Sequence, residues 1–138
     1  MNSSSKITCK RIPVNQRVKV TAELFGLAFP MRLEPAIFSI AGSLAEAYDG
    51  GYWEFYKLSN GGFYMALASD KQFVVTCENG FEGELSAEAF GIVCSLYAYS
   101  HLSFSDGQFA EICAEQYHLL REFALDHESA GAILAAID

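Results

Sequence analysis

The 138-residue chain has the length of one domain, and its 51% hydrophobic residues are enough for a core without a disulfide or structural metal. Residues 1–48 carry six bases and three acids, whereas residues 49–138 carry three bases and fourteen acids, so the net charge is −8. This acidic balance disfavours nonspecific nucleic-acid binding, which needs clustered Lys and Arg. The polar N-terminus does not resemble a signal peptide, and no run reaches the ~20 apolar residues of a membrane span. We therefore expect a cytoplasmic protein with no membrane contact.

The first third of the chain predicts one short strand and two helices. After the first few residues, which we expect to be mobile, "KITCKRI" is typical of a short strand. The segment "NQRVKVTAELFG" fits both strand alternation and helical spacing, but Asn15 as a cap and Gly26 as a stop favour a helix. "EPAIFSIAGSLAEAY" is a clearer helix, because its apolar residues recur at helical spacing and Pro35 suits the first turn.

After the second predicted helix, the apolar residues alternate with a period of two, which is typical of β-strands. Asn60-Gly61, or alternatively Gly61-Gly62, lies between two β-rich runs of "GGYWEFYKLSNGGFYMALA" and predicts a tight hairpin, because primed turns need positive φ at their central residues. Ser69-Asp70-Lys71 predicts the next turn, and "CENGFEGEL" supplies another Asn-Gly and a candidate closing strand. The sequence therefore predicts a small antiparallel β-meander of three to four strands.

Helices are predicted for the rest of the chain. Ser86 is expected to cap the first, with Glu88 in its first turn beside the positive end of the helix dipole. The second runs from about Gly107 to Asp126 with one apolar and one polar face, and "SAGAILAAI" forms the last. About four to five helices packed with a small meander define an α+β fold, and we expect one domain spanning residues 1–138.

Glu115 and His118 are the leading candidates for a metal site, because the E-x-x-H pattern on a helix can ligate a metal. Such sites need a second E-x-x-H, and neither His101 nor His127 has a Glu three residues before it. The polar helix face that carries the pair is also expected to be solvated. We therefore predict no metal and no cofactor.

Motifs for other kinds of catalysis are absent from the sequence. There is no G-x-S-x-G, P-loop or G-x-G-x-x-G motif, and the four cysteines lack paired spacing. We predict that the protein is not an enzyme. An enzyme built on Glu115 and His118 would instead require bound metal.

Candidate binding residues lie beside the hairpin and on the acidic strand. Tyr52 and Trp53 adjoin a glycine bend, where aromatic residues often anchor interfaces, although a core position is the alternative for Trp53. Glu82 and Glu84 form an acidic rim for a protein partner, with plain solvation as the alternative. A DNA mimic would need on the order of twenty aligned negative charges over ~40 Å, which 17 acids diluted by nine bases do not supply.

A DNA-binding module is the competing hypothesis. It would combine the aromatic hairpin with the basic N-terminal residues Lys6, Lys10, Arg11, Arg17 and Lys19. Single-strand binders interleave their aromatic residues with Lys or Arg, but only Lys57 accompanies the hairpin. Nucleic acid is therefore disfavoured as a direct ligand.

Three long segments resemble the ArdB/KlcA antirestriction family: "GGYWEFYKLSNGGFYMA" (50–66), "NGFEGELSAEAFGIV" (79–93) and "YHLLREFALDHESAGAILAAID" (117–138). The resemblance implies an α+β protein of plasmids and other mobile elements that protects incoming DNA from type I restriction–modification systems. It supplies no catalytic residues and no mechanism. We expect a non-enzymatic inhibitor that acts through contact with a protein, either the type I restriction enzyme or a host DNA-processing factor.

Overall fold

The structure, a computed structural model, describes residues 6–138. The first five residues, for which we expect mobility, lie outside this range. The elements in chain order are β1 (Cys9–Arg11), α1 (Arg17–Phe25), α2 (Glu34–Leu44), β2 (Trp53–Leu58), β3 (Phe63–Leu67), β4 (Gln72–Thr76), β5 (Glu82–Ser86), α3 (Ala87–Leu102), α4 (Gln108–Leu125) and α5 (Ala130–Ile137). A 3-10 turn precedes α1 and a π-helical turn precedes α2. The predicted α+β class is confirmed.

Two small antiparallel sheets account for the five strands. The first has the order β1-β2-β3, and the second contains β4 and β5. The predicted hairpin between β2 and β3 is present, but its loop is not a two-residue primed turn. The Leu58 N–H donates to the Gly62 carbonyl at 2.9 Å, which leaves three residues in the loop, and Gly61 alone among them has a positive φ, of 95°. The strands therefore occur where the alternation places them, but they are divided between two sheets instead of forming one meander.

The division occurs because α3 covers the free edge of β3. The Met65 N–H donates to Ser95 Oγ at 3.3 Å, and the Tyr99 hydroxyl donates to the Phe63 carbonyl at 2.8 Å. Gly91 permits this approach, since a Cβ atom at that position would lie 2.5 Å from Ala66. Side chains of a helix thus satisfy backbone groups that a neighbouring strand would otherwise bind.

Helix α3 lies at the centre of the molecule. It packs against α2, α4, α5 and the strands β3, β4 and β5, and its residues 89–96 are all buried. The Ala89 N–H donates to Ser86 Oγ at 3.1 Å, which confirms the predicted cap. A group of aromatic rings at 5.5 to 6.3 Å separations fills the core beside it; the group comprises Phe25, Phe29, Phe55, Phe63 and Tyr99.

The first two helices differ from expectation at their ends. Helix α1 ends before Gly26 as predicted, with a φ of 64° at that glycine, but its cap position is Gln16 and not Asn15. Helix α2 ends at Leu44, because Ala45 is extended with a φ of −127° and a ψ of 114°. The early end lets Tyr48 fold back, so that its hydroxyl accepts a 3.2 Å hydrogen bond from Trp53 Nε1.

Two Asn-Gly turns fasten the hairpins to the helices. Asn60 Oδ1 accepts from the Gly62 N–H within its own turn, while its Nδ2 donates to the Leu119 carbonyl of α4 at 2.9 Å. Asn79 repeats the arrangement: its Oδ1 accepts from the Phe81 N–H, and its Nδ2 donates to the Ala135 carbonyl of α5 at 3.0 Å. We call these two contacts the Asn latches. Each one shapes a turn and holds a helix with the same side chain.

No single helix within residues 6–138 is long and apolar enough to cross a membrane. The helical stretches Val14–Phe25 and Phe29–Leu44 reach that length and composition only together, and they are bent by 93° at the break between them.

Candidate functional site

The two predicted aromatic contacts are placed differently. Tyr52 is 54% exposed, whereas Trp53 is only 5% exposed. The Trp53 ring packs 5.5 Å from the Phe38 ring and 5.9 Å from the Tyr48 ring. Trp53 is therefore a core residue of β2, which is the alternative that the sequence left open. Tyr52 remains accessible to a partner, and its role in binding stays a prediction.

The hairpin presents no aromatic platform for bases. Phe55 is buried, and the Tyr56 ring stacks on the buried Tyr64 at a centroid distance of 4.8 Å and an angle of 15°. With Trp53 also in the core, Tyr52 is the exposed aromatic residue of β2 and its approach. The geometry that single-strand binding would need, successive open aromatic faces, is not formed by this hairpin.

The basic N-terminal residues are partly engaged within the protein. The Arg17 guanidinium lies 5.0 Å from the Tyr52 ring centroid and 4.3 Å from that of Phe55. Its Nη2 is 3.8 Å from Glu54 Oε1, and Arg11 Nη1 is 3.2 Å from Glu54 Oε2. Two of the cations that the DNA-binding hypothesis requires therefore share a carboxylate of their own chain.

Glu82 and Glu84 lie exposed on β5, directly opposite Thr76 and Val74 of β4. Directly opposite residues of an antiparallel pair share a face, so these four side chains occupy one face of the second sheet. The other face is buried against α3 and carries Phe73, Val75 and Leu85. The predicted acidic rim is therefore the solvent-facing side of β4 and β5, which we call the acidic sheet face.

A groove borders the acidic sheet face. It has a volume of about 690 Å³ and lies between β4, which contributes Gln72, Val74 and Thr76, and the end of α2 with the segment that follows it. That second wall comprises Gly42, Ser43 and Leu44 of α2, and Glu46 and Ala47 beyond it. A second hollow of about 230 Å³ adjoins it, because Ala47 and Gln72 line both, and Tyr52 lines the second. The groove therefore connects the edge of the acidic sheet face, at Val74 and Thr76, with the hollow that Tyr52 lines.

A hydrogen-bonded cluster joins four distant segments on another part of the protein. The Tyr64 hydroxyl donates to Glu88 Oε2 at 2.9 Å and lies 3.3 Å from Cys9 Sγ. His127 Nε2 lies 2.8 Å from Glu88 Oε1, and its Nδ1 accepts from the Ser129 N–H at 2.9 Å. Because Nδ1 is an acceptor, Nε2 carries the proton and donates it to the carboxylate. Glu88 therefore accepts from both neighbours.

The cluster lacks the arrangement of a nucleophilic catalyst. Burial raises the pKa of the Cys9 thiol, the hydrogen bond with Tyr64 opposes this, and the charge of Glu88 adds a smaller increase; burial also raises the pKa of the Tyr64 phenol. A reactive cysteine needs a lowered pKa and an adjacent base, whereas Cys9 meets a tyrosine. What the cluster does is tie β1, β3, α3 and the segment before α5 together. The sequence marks Glu88 as an acid of the first helical turn and of the acidic stretch around it, but it does not reveal the two partners, which are 24 and 39 residues away.

The E-x-x-H pair lies in solvent. Glu115 and His118 are both exposed on α4, together with Glu111 and Glu122, as the helical pattern predicts. In the described part of the chain, no group of three or more His, Cys, Asp or Glu residues is arranged to hold a metal ion.

Comparison with known proteins identifies the family. Residues 46–138 match the sequence profile of a family described as "Antirestriction protein". Antirestriction protein KlcA of Escherichia coli is 40% identical over 97% of this chain and 95% of its own length, and a second KlcA is 37% identical over the full length of both. The uncharacterized protein YafX of Escherichia coli K12 is 38% identical over 96% of this chain and 89% of its own length.

A solved structure has the same fold over its whole length. It superposes with a TM-score of 0.91 at 39% identity and covers 100% of both chains. It comes from work on KlcA and ArdB that describes a novel fold and antirestriction activity against type I DNA restriction systems in vivo but not in vitro. The chain therefore belongs to the KlcA/ArdB family of antirestriction proteins.

Proposed function

We propose that this protein acts in the cytoplasm to protect incoming plasmid or phage DNA by inhibiting type I restriction–modification systems, and that it does so without catalysis. The observation that carries the proposal is the full-length match to a structure whose proteins show this activity in vivo. The family consists of antirestriction proteins, and the residues described here form no nucleophile–base pair or metal cluster.

The distribution of charge supports contact with a protein over imitation of DNA. Glu54 is shared by two arginines, and Glu88 is held by Tyr64 and His127. Other acids are spread over different elements, including the exposed face of α4 and the acidic sheet face of β4 and β5. A duplex mimic needs a continuous line of charges at the spacing of phosphates, about one per 1.7 Å of axis. Scattered carboxylates serve better as the polar rim of a protein interface.

A host factor is the favoured protein partner. The related proteins act in vivo but not in vitro, which is the behaviour expected when a component of the cell is missing from the purified reaction. Direct contact with the restriction enzyme predicts inhibition with purified components, unless the enzyme must first adopt a state that exists only in the cell. The surface that we assign to this contact contains Tyr52, Glu82 and Glu84.

A plating assay tests the proposed function. Unmodified phage is plated on a host with a type I restriction system, with and without expression of this protein. Survival should rise towards that of modified phage, and an isogenic host without the restriction subunit should show no change. Equal survival of unmodified phage with and without the protein would reject the assignment.

A pull-down then separates the two partner classes. The same tagged protein is recovered from restricting cells and from cells lacking the restriction subunits. Enrichment of those subunits from the first strain supports direct contact. Recovery of the same other complex from both strains supports a host factor.

A further inference from the structure

The outer edge of β4 carries backbone groups that no other strand within residues 6–138 binds. The Cys77 N–H donates to the Phe81 carbonyl at 2.9 Å, which extends the register that pairs Thr76 with Glu82. Hydrogen-bonded and non-bonded pairs alternate along an antiparallel ladder. Phe73 and Val75 therefore bond to β5, whereas the N–H and C=O groups of Gln72, Val74 and Thr76 point away from it.

These outward groups border the groove beside the end of α2. The same three residues of β4 line one wall of the groove. Exposed small residues line the other wall: Gly42 and Ser43 at the end of α2, and Ala47 just after it. Five residues of strand span roughly 17 Å, and a neighbouring strand lies about 4.8 Å away in the hydrogen-bonding direction. A groove of about 690 Å³ leaves room along β4 for an added backbone.

Within residues 6–138, the two edges of the first sheet are protected in ways that β4 is not. Side chains of α3 cover β3, and β1 is only three residues long and carries Lys10 and Arg11. Short length, positive charge and covering helices are the usual protections of an exposed edge. Strand β4 contains neither Lys, Arg nor Pro, and Val74 is 59% exposed at its middle. An open edge with an apolar centre is a surface for pairing with another chain.

The negative charge around the outer edge of β4 favours a positively charged partner segment. Glu82 and Glu84 share the solvent face of the sheet with Val74, and Glu46 lines the facing wall of the groove. We propose that β4 is a docking strand, which binds an extended segment of a partner protein as an added third strand with Lys or Arg side chains above the acidic sheet face. Backbone hydrogen bonds supply the affinity in this mode of recognition, and alternate side chains supply the specificity.

The inference rests on the proposed function because it takes the partner to be a protein. Its test measures peptide binding and does not measure antirestriction activity. The probe is a capped synthetic peptide of alternating Lys and Val, added to the full-length protein and followed by NMR. We expect saturable binding with a Kd below about 1 mM, and shifted, more slowly exchanging amides at Gln72, Val74 and Thr76. A Glu/Val peptide of the same length and a Lys/Val peptide with N-methylated backbone should bind at least about tenfold more weakly.

Substitutions at one position separate backbone pairing from simple charge attraction. Val74→Pro removes an N–H that points away from β5, so no hydrogen bond of the existing sheet is lost. Proline is tolerated at such positions of edge strands. It should abolish binding, whereas Val74→Thr, which keeps the N–H, should not. Val74→Lys keeps the backbone and should weaken binding through repulsion, which covers the case in which the proline variant does not fold.

Three results would overturn the inference. They are the absence of saturable binding, amide shifts that lie away from β4, and peptide binding by Val74→Pro and Val74→Lys that is as strong as binding by the wild-type protein. The plating assay remains independent of all three. Wild-type protein that protects phage but binds no peptide would refute the docking strand alone. Protein that binds the peptide at β4 but protects no phage would refute the proposed function alone.

Discussion

Gly91 of α3 lies directly on Ala66 of β3, with no space between them for a side chain. A Cβ atom on Gly91 would be 2.5 Å from both the Cα and the Cβ of Ala66, and it would also meet the Met65 carbonyl oxygen. These are backbone atoms and a fixed methyl group, so neither partner can yield by changing a rotamer. The contact sets the distance between the central helix and the first sheet.

We therefore expect Gly91→Ala to lower the free energy of unfolding by about 3 kcal/mol, the upper part of the range for overpacking. Urea denaturation followed by circular dichroism measures it. The matched control is Gly131→Ala in α5, where no atom lies within 4 Å of an added Cβ. The control should be neutral or stabilising by up to about 1 kcal/mol, because Ala is the better helix former. Equal stability of the two variants would contradict the close contact.

The covered edge of β3 gives a second prediction. Ser95→Ala removes the acceptor of the Met65 N–H in a fully buried position, and an unsatisfied buried donor costs about 1–3 kcal/mol. The Met65 amide should also exchange faster with deuterium, which NMR measures directly. Ser100→Ala lies on the same helix outside this edge and serves as the control. Unchanged exchange at Met65 in Ser95→Ala would show that α3 does not protect the strand.

Thiol reactivity tests the cluster around Glu88. Burial and the negative charge of Glu88 raise the pKa of Cys9, so removal of that charge lowers this pKa and increases the thiolate fraction below it. Glu88→Gln should therefore accelerate alkylation of Cys9 by iodoacetamide between pH 7 and pH 9, and the difference should shrink once the pH exceeds both pKa values. Mass spectrometry measures the rate at Cys9 alone.

The chain offers internal controls for that experiment. Cys77, Cys94 and Cys113 are buried, and burial raises the pKa of Cys113 to about 11, so these thiols should stay unlabelled in the folded protein. Glu84→Gln removes an exposed charge of β5 and should leave the Cys9 rate unchanged. Equal alkylation rates in the wild type and in Glu88→Gln would contradict an effect of the Glu88 charge on the pKa of Cys9.

The Asn latches make a fourth prediction. Asn79→Asp keeps the oxygen that accepts from the Phe81 N–H, but it replaces the donor to the last carbonyls of α5 with a negative charge near the negative helix end. We expect a loss of about 1–2 kcal/mol and faster amide exchange throughout α5. Asn60→Asp is the matched variant and should loosen the middle of α4 instead. Identical exchange patterns in the two variants would refute the assignment of one latch to each helix.

Much of the local structure follows from the sequence, because its signals are local. Asn60-Gly61 predicts its hairpin through the positive φ of the turn, and Ser86 predicts the start of α3 through its cap. The turn at Ser69-Asp70-Lys71 also joins two strands, as its residue types indicate. What no turn signal can specify is the partner of each strand. The edge of β3 is bound by Ser95 and Tyr99, which the chain supplies about thirty residues later.

The candidate binding surface could be predicted only in part for the same reason. The exposure of Tyr52, Glu82 and Glu84 fits their residue types, but the groove and hollow between Tyr52 and β4 depend on where α2 ends. Trp53 is a core residue because it shares the buried face of β2 with Phe55, where the rings of Phe38 and Tyr48 pack against it. The cluster of Cys9, Tyr64, Glu88 and His127 has no spacing signal, since each member comes from a different element.

The Asn-Gly sequences at the two Asn latches also bear on how long the folded protein stays chemically intact. In such a sequence the glycine nitrogen attacks the side-chain carbonyl carbon of asparagine and expels ammonia, which forms a cyclic imide, and hydrolysis of this ring by water leaves a new carboxylate. In both turns that nitrogen is held, since the Gly61 N–H donates to the Leu58 carbonyl and the Gly80 N–H to the Cys77 carbonyl. Deamidation therefore proceeds only while a turn is open. The rate at which either site gains about one mass unit reports how often that turn opens.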